Sequence, residues 1–483
     1  MNWCLIVNRL SAVLFIEAGC MVPSLAVSLI YRDGDTMAFA LSILIVLALA
    51  IAAWVVKPRV TNIHSKEGFA IGGLGWLIMT ALGALPFLIS PGVHSYADAF
   101  FEAAAGFSTT GATVFPGLIG LSRALIFWRS STHWMGGLGF LLLIIALAPS
   151  IKANALHMMR VESTGLPVEK FVPNIKSHAR ILYTIYAAMT AALAVMLALA
   201  GMPLFEAICY SMGAVSTGGF DANPAGLSSY NNVGVELLIA VFMLMAGTNL
   251  VLYYLLFKGD WRSLFRDEEL RLFMCIVVVS TGLITLNIYQ EVYATALESA
   301  GKALFQVSSI ITTAGFSTAD YQTWPTFSQG VLLMLMLIGG CAGSTAGGMK
   351  VIRWLLLFKV ARREVYRILH PRARRSITIN GRAVDDEPMF GAMVYFALYL
   401  ACVLILALVI ALDGKDPLTN ISAAIACVGN VGPGLGMVGP SGSYAGFSAR
   451  SKTFLAVGMI IGRLEIYPVL ILCIPAFWKK VNI

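Results

Sequence analysis

The decapeptide EAAAGFSTTG (residues 102–111) ends on a glycine and recurs in altered form three times along the 483-residue chain. The other copies read YSMGAVSTGG (210–219), QVSSIITTAG (306–315) and AAIACVGNVG (423–432). In every copy the residue two places before the last glycine is Thr or Asn, and the residue six places before it is small. A repeat spaced by about one hundred residues governs a whole fold, so the chain is predicted to contain four similar units.

The composition is that of an integral membrane protein. Hydrophobic residues make up 58% of the chain and charged residues 12%, and the mean hydropathy is +0.82. Soluble domains contain roughly 25% charged residues. The chain has room for about ten spans of about 20 residues each. The first apolar stretch (4–30) is followed at once by a second (36–56), which favours a retained helical hairpin over a cleaved signal peptide.

The four units are predicted to share one plan: a spanning helix, a short helix that ends at the glycine turn, and a return helix. The return helices are expected over 124–147, 233–257, 327–358 and 451–477. The short helices cannot cross a bilayer, and extended backbone at membrane depth is tolerated only where protein or water covers it. The predicted fold is an all-α integral membrane protein: four membrane–pore–membrane repeats in a pseudo-fourfold arrangement, plus an N-terminal two-helix hairpin. The predicted boundaries are 1–60 for the hairpin and 61–151, 152–258, 259–360 and 361–483 for the repeats, the last preceded by a basic segment.

Lysine and arginine are concentrated in alternate loops, in the segments 57–66, 152–180, 258–271, 350–382 and 479–480. Because positive loops stay in the cytoplasm, both termini are predicted inside and all four glycine turns outside. The outer loops then hold carboxylates, among them Asp98, Asp221, Asp320 and Asp416, which would raise the local concentration of cations. Simple solvation of a loop is an equally open interpretation of any single one.

The glycine turns carry the predicted chemistry. A dehydrated monovalent cation needs a ring of oxygens in place of its water, and backbone carbonyls supply them without a fixed charge. Glycine reaches, at little steric cost, the backbone angles that point successive carbonyls at one axis. One such turn alone would be explained by helix packing, whereas four in register predict a pore.

A second feature is the run GGCAGSTAGG (339–348) inside the return helix of the third repeat. Its five glycines in ten residues cost a helix roughly 1 kcal/mol each, so the segment is predicted to break into a loop below the turns. A glycine seam for close helix packing is the alternative. A phosphate-binding loop is disfavoured because Lys350 is not followed by Ser or Thr.

Arg463 is predicted to lie in the middle of the last helix, at membrane depth. An arginine there is costly and faces an interior cavity or a partner, so it is expected to oppose cation passage below the turns. The alternative is a structural pair with Glu465 or another carboxylate, although residues two apart on a helix do not face each other. Arg129, His133 and Glu236 are expected only to brace helices.

Six segments resemble the Trk/Ktr/HKT family of potassium transporters, and within it the TrkH-like membrane subunits. They are FSTTGATV (107–114), VSTGGFDAN (215–223), TTAGFST (312–318), GNVGPGLG (429–436), GGCAGSTAGGMK (339–350) and GRLEIYP (462–468). The resemblance covers nearly the whole chain and implies a potassium-selective uptake pathway. The implied filter residues, at which K⁺ would bind, are Thr109, Thr110, Gly111, Thr217, Gly218, Gly219, Thr313, Ala314, Gly315, Asn430, Val431 and Gly432. In the second repeat Gly219 is preferred over Gly218 as the filter glycine, because Gly219-Phe220 matches Gly315-Phe316; Pro433 replaces the Phe in the fourth.

The resemblance also implies that the glycine-rich loop obstructs the pore as a gate. The implied gate residues are Gly343, Ser344, Thr345, Gly347, Gly348, Lys350 and Arg463. No residue is predicted to be catalytic, and no cofactor is expected in this chain.

The segment 359–382 is the most basic part of the chain. It is expected to anchor on anionic lipid headgroups or, as the resemblance implies, to dock a cytoplasmic ring of TrkA-type regulatory proteins. Any nucleotide, ATP/ADP or NAD/NADH, would bind those partners, because this chain has no GxGxxG after a strand. The resemblance further implies a homodimer in the bacterial inner membrane, and no nucleic-acid partner is expected.

The predicted function is therefore potassium uptake through a gated, channel-like pore, without enzymatic activity. A symporter of potassium with protons or sodium is the alternative, and it would need titratable groups along the path. A membrane-embedded hydrolase using Ser344 or Ser130 with His133 is the alternative from a different class.

Overall fold

The computed structural model describes residues 1–58, 65–91, 93, 95–118, 120–139, 175–371 and 376–478. Parts of the predicted basic segments, including 152–174 and 479–480, lie outside these residues, as does the predicted end of the first return helix. The described residues are predominantly helical, which confirms the predicted all-α fold.

The helices follow the predicted order. The N-terminal hairpin consists of α1 (Trp3–Tyr31) and α2 (Thr36–Val55). Repeat one contains α3 (Ser65–Gly83), α4 (Leu85–Ile89), α5 (Tyr96–Phe107) and α6 (Arg123–Gly137). Repeat two contains α7 (Ile175–Leu199), α8 (Leu204–Ser216), α9 (Val233–Ala246) and α10 (Leu250–Phe257). Repeat three contains α11 (Trp261–Arg266), α12 (Glu268–Ile288), α13 (Ala296–Ile311), α14 (Thr326–Ile338) and α15 (Val351–Leu369), and repeat four contains α16 (Asp386–Ile410), α17 (Pro417–Val428), α18 (Ala449–Arg463), α19 (Tyr467–Cys473) and α20 (Pro475–Trp478).

Six of the described helical stretches are long and apolar enough to cross a membrane. They are Trp3–Tyr31, Thr36–Val55, Lys66–Ile89, Ser177–Leu199, Glu268–Ile288 and Asp386–Asp413. The pair α9 and α10 makes a seventh candidate that is bent by 91°. The chain is therefore a multi-pass membrane protein.

The return helices are broken in repeats two, three and four. The glycine run predicts the break in repeat three, but the expectation of uninterrupted return helices over 233–257 and 451–477 is wrong. In repeat two the break precedes Asn249, whose side chain accepts a hydrogen bond from the Val251 amide (3.0 Å) and so starts a new helix. In repeat four α18 ends at Arg463, because Glu465 and Ile466 have positive φ angles (55° and 67°) that cannot continue a right-handed helix.

The four short helices α5, α8, α13 and α17 form the interior. Ala104, Ala214, Ile310 and Ala424, one from each, are completely buried. The spanning helices instead expose large apolar side chains, as at Leu286 (78%) and Leu408 (72%). This distribution fits helices that face lipid and surround a protein-covered centre.

A small β-hairpin joins repeats three and four. Its strands, β1 (Thr378–Ile379) and β2 (Arg382–Ala383), pair antiparallel across the turn Asn380-Gly381. Both turn residues have positive φ (50° and 78°), the conformation that Asn-Gly favours in two-residue hairpins. The sequence ITINGRAV therefore contained a hairpin signal that the sequence analysis missed.

Candidate functional site

The four glycine turns share one backbone conformation. Left-handed φ angles of 54°, 56°, 58° and 56° occur at Thr109, Thr217, Thr313 and Asn430. Positive φ angles of 76°, 72°, 78° and 97° follow two residues later at Gly111, Gly219, Gly315 and Gly432. Residues with a side chain are uncommon in this region, so its recurrence at four matched places marks one local structure built four times.

The same hydrogen bond closes each short helix. The amide that follows the Thr or Asn donates to the carbonyl of the small residue that the repeat pattern singles out, and each N–O distance is 2.8 Å. The four pairs are Thr110 to Ala105, Gly218 to Gly213, Ala314 to Ser309 and Val431 to Ala426. Such bonds are typical of helix ends that finish on a left-handed residue.

The turns form a closed ring in chain order. A Cβ atom added to Gly111 would collide with the carbonyl oxygen of Gly218, and one on Gly219 with that of Ala314. A Cβ on Gly315 would collide with the Val431 carbonyl, and one on Gly432 would return to the carbonyl of Thr110 in repeat one. Glycine is thus required both by its φ angle and by the close approach of the next turn.

The ring also fixes the register of repeat two. Gly219 has the positive φ and the cross-repeat contact that Gly111, Gly315 and Gly432 have. Gly218 lies against another group, because a Cβ there would collide with the imidazole of His133. Gly219 is therefore the structural equivalent of the other three glycines.

A cavity of about 470 Å³ lies against one side of the ring. All four turn glycines line it, together with residues that follow them, including Asp221 and Asp320. Asp221 accepts a hydrogen bond from the hydroxyl of Tyr210 (3.3 Å). At the start of α17, hydrogen bonds from the side chain and amide of Thr419 hold the pKa of Asp416 below its usual value.

Two ion pairs and a hydrogen bond brace the helices of repeats one, two and three. Arg129 donates to Glu102 (2.7 Å) and to the carbonyl of Asp221 (3.3 Å), and its guanidinium lies 3.8 Å from the centre of the Phe220 ring. Glu236 on α9 accepts from Lys302 on α13 (2.7 Å). The Arg129–Glu102 pair lies within repeat one, whereas the bond to the Asp221 carbonyl joins repeats one and two and the Lys302–Glu236 pair joins repeats two and three.

The glycine-rich loop (residues 339–350) joins α14 to α15 and contacts the residues that precede the turn glycines. The Gly347 amide donates to the hydroxyl of Thr313 (2.7 Å), and a Cβ on Gly347 would crowd Asn430. The Thr345 hydroxyl donates to the carbonyl of Val215 (3.1 Å) in repeat two. The loop and the cavity therefore touch opposite ends of the turns.

Arg463 ties the loop to repeat one. Its guanidinium donates to the carbonyls of Thr345 (2.8 Å), Gly136 (2.5 Å) and Gly137. Within the loop, Lys350 donates to the carbonyl of Ala346, and the hydroxyl of Ser344 to that of Cys341 (2.5 Å). The two ends of the loop meet where Gly348 packs against Gly339.

The placement of Arg463 corrects the sequence analysis. It is the last residue of α18 and not the middle of a helix, so the argument from helical spacing does not apply to Glu465. Glu465 accepts from Arg353 of α15, whose guanidinium lies 3.9 Å from the centre of the Tyr395 ring. The contact between Arg353 and Glu465 was not predicted from the sequence.

His133 is completely buried, and neither of its ring nitrogens hydrogen-bonds to any residue in the described part of the chain. It packs edge-on against Phe220 at 4.1 Å. The hydroxyl of Ser130 instead donates to the carbonyl of Ile126 (3.2 Å). The structure therefore does not pair either predicted serine with this imidazole.

The fold and the ring together define the class: a multi-pass membrane protein whose four repeats surround one axis. The family model for TrkH, described as a cation transport protein, matches residues 35–480. The chain belongs to the TrkH family.

Named relatives are similar over almost their full length. The Trk system potassium uptake protein TrkH of Salmonella typhimurium is 37% identical over 470 residues, which cover 96% of each chain. The Trk system potassium uptake protein TrkG of Escherichia coli is 33% identical over 95% of each chain. The crystal structure of the potassium transporter TrkH from Vibrio parahaemolyticus matches with a TM-score of 0.89 and 33% identity, over 99% of this chain and 100% of that one.

The contact between Gly218 and His133 predicts an energetic coupling. Gly218→Ala should destabilise the protein by about 1–3 kcal/mol through overpacking, and His133→Ala should relieve part of that loss by making room. Thermal unfolding in detergent would show the double variant to be more stable than the sum of the single effects by roughly 0.5–3 kcal/mol.

Gly219→Ala is the matched control for this cycle, because its Cβ would meet backbone and not the imidazole. Combining it with His133→Ala should give simple additivity. The described contact would be contradicted if His133→Ala restored stability to Gly219→Ala. It would also be contradicted if His133→Ala restored none to Gly218→Ala.

Proposed function

We propose that this chain carries potassium into the cell through a gated, channel-like pore. The observation that carries the proposal is the closed ring, in which each turn glycine lies against a carbonyl of the next turn. Backbone oxygens in a ring replace the water of a monovalent cation without holding it too tightly. Membership of a cation transport family, and relatives named potassium uptake proteins, support potassium as the cation.

The proposed filter consists of the twelve residues predicted from the sequence, three in each turn. They are Thr109, Thr110, Gly111, Thr217, Gly218, Gly219, Thr313, Ala314, Gly315, Asn430, Val431 and Gly432. The cavity beside the ring is the proposed outer entrance. Its carboxylates, Asp221 and Asp320, would concentrate cations and repel anions there.

The proposed gate is the glycine-rich loop together with Arg463. The gate residues are Gly343, Ser344, Thr345, Gly347, Gly348, Lys350 and Arg463. The loop lies against the turns of repeats two, three and four, and Arg463 bridges it to repeat one. In this position the loop would block the path beneath the ring. The positive charges of Lys350 and Arg463 would add an electrostatic barrier to cations.

We place the protein in the bacterial inner membrane, with both termini in the cytoplasm. The relatives are named as parts of a Trk system, which supports a cytoplasmic TrkA-type ring that binds the regulatory nucleotide. Arg362 and Arg367 are exposed on α15, where such a ring or anionic lipid would meet them. A homodimer, in which each protomer keeps its own pore, completes the proposal.

Rubidium uptake into liposomes that contain the purified protein tests the pore. Flux should follow the potassium gradient without an imposed pH gradient, and Gly315→Ser should lose selectivity for potassium over sodium because its side chain would displace the Val431 carbonyl. Gly301→Ser is the matched control, since Gly301 lies on the same short helix with open space around its Cα. Flux that needs a proton gradient would establish symport instead.

The gate makes a separate prediction. Arg463→Ala, and deletion of residues 343–347, should each raise flux, because both remove contacts that hold the loop under the ring. Arg463→Lys keeps the charge but cannot bridge carbonyls in two repeats, so it should give an intermediate flux. Unchanged or lower flux in well-folded deletion protein would defeat the gate assignment.

A further inference from the structure

One carboxylate from a neighbouring helix holds the glycine-rich loop. Glu269 lies in the first turn of α12 and is 6% exposed. Its Oε1 atom accepts hydrogen bonds from the amides of Ala342 (2.7 Å) and Ile352 (3.0 Å). Ala342 belongs to the loop and Ile352 to the first turn of α15, so a single oxygen fastens the segment on both sides of Gly343, Gly347 and Gly348.

These amides need such an acceptor. Ala342 lies in non-helical backbone, where a buried donor without a partner is costly. Ile352 is at a helix N-terminus, whose first amides have no partner within the helix and need an acceptor oxygen from elsewhere. Glu269 meets both needs only while α12, the loop and α15 keep their present arrangement.

The two residues before Glu269 bind the β-hairpin. Asn380 donates from its side chain to Asp267 (2.9 Å) and from its backbone to Glu268 (3.0 Å), and it accepts from the Glu268 amide (2.8 Å). Lys359 of α15 donates to the Glu268 carboxylate and to the carbonyl of Thr378 (2.5 Å). Three consecutive residues at the N-terminus of α12, the capping residue Asp267 and the helical residues Glu268 and Glu269, thus contact the hairpin and the loop.

The hairpin is also packed onto the helices on either side of it in the chain. Ile377 forms a small buried cluster with Leu356 of α15 and with Met389 and Ala392 of α16. A displacement of the hairpin would therefore be transmitted to the first turn of α12 by Asn380 and to α15 by Ile377.

We propose that Glu269 is a positioning residue for the glycine-rich loop, and that Asp267 and Glu268 couple the position of the loop to the β-hairpin. This inference rests on the proposed gate. A protein that moves the hairpin would open or close the loop through the first turn of α12, without touching the loop itself.

The test compares Glu269→Ala with Glu269→Gln in the full-length protein, by rubidium flux into liposomes. Glu269→Ala removes the acceptor and should raise flux by about tenfold, since two backbone hydrogen bonds then no longer favour the closed loop. Glu269→Gln keeps a carbonyl oxygen that can accept from both amides and should stay close to wild type. Glu387→Ala, which removes an exposed carboxylate from the first turn of α16, is the matched control.

A second readout follows the loop directly. Cys341 lies in the loop and is 1% exposed, and its alkylation by a water-soluble maleimide can be timed by mass spectrometry. Glu269→Ala should speed modification of Cys341 but not of Cys209 or Cys427, which are buried in short helices. Asn380→Ala should speed it as well, by a smaller factor.

Several outcomes would overturn the inference. Wild-type flux and Cys341 reactivity in Glu269→Ala would remove the positioning role, and a Glu269→Gln variant as leaky as Glu269→Ala would show that the acceptor is not what matters. A wild-type rate of Cys341 alkylation in Asn380→Ala would contradict the coupling to the hairpin. Deletion of residues 343–347 separates the two proposals, because if that deletion raises flux while Glu269→Ala does not, the gate stands and only the inference about Glu269 fails.

Discussion

Backbone contact between the four glycine turns is the constraint on which the rest of the structure depends. Each turn brings a glycine against a carbonyl of the next repeat, at a distance that excludes a Cβ. Such contact is possible only if the four short helices converge and all four turns are present. The spanning helices can vary as long as they stay apolar on the lipid side, but the turn glycines are fixed by geometry.

Placing so much non-helical backbone inside a membrane protein creates a second demand, since its amides and carbonyls must be satisfied without bulk water. Long polar side chains meet part of it. Arg463 donates to carbonyls of Thr345, Gly136 and Gly137, and Asn430 donates to the carbonyl of Met459 (2.8 Å). The breaks in the return helices and the buried polar residues therefore occur together, because the polar side chains satisfy the backbone groups that the breaks leave free.

The sequence predicted the features that depend only on residues close to one another in the chain. Turn glycines, the small residue six places earlier and the glycine run each determine their own backbone conformation, so the four turns and the break in repeat three could be derived. Contacts between residues that are distant in sequence could not be derived. Glu269 is 83 residues from Ile352, and Glu465 is 112 residues from Arg353, and hydropathy does not say which buried carboxylate meets which donor. The breaks in repeats two and four also escaped, because Gly247, Thr248 and Asn249 are unremarkable as a sequence.

Four unequal repeats in one chain permit an arrangement that identical subunits could not adopt. The glycine-rich loop occurs in repeat three, and it contacts Val215 in repeat two, Thr313 in its own repeat and Asn430 in repeat four, while Arg463 joins it to repeat one. Four symmetry-related copies of the loop would compete for the same space beneath the ring. With one copy, each repeat can present a different partner to it, and Glu269 can hold it from one side. Nearly symmetric turns and one asymmetric loop can therefore occur together only because all four repeats belong to a single polypeptide.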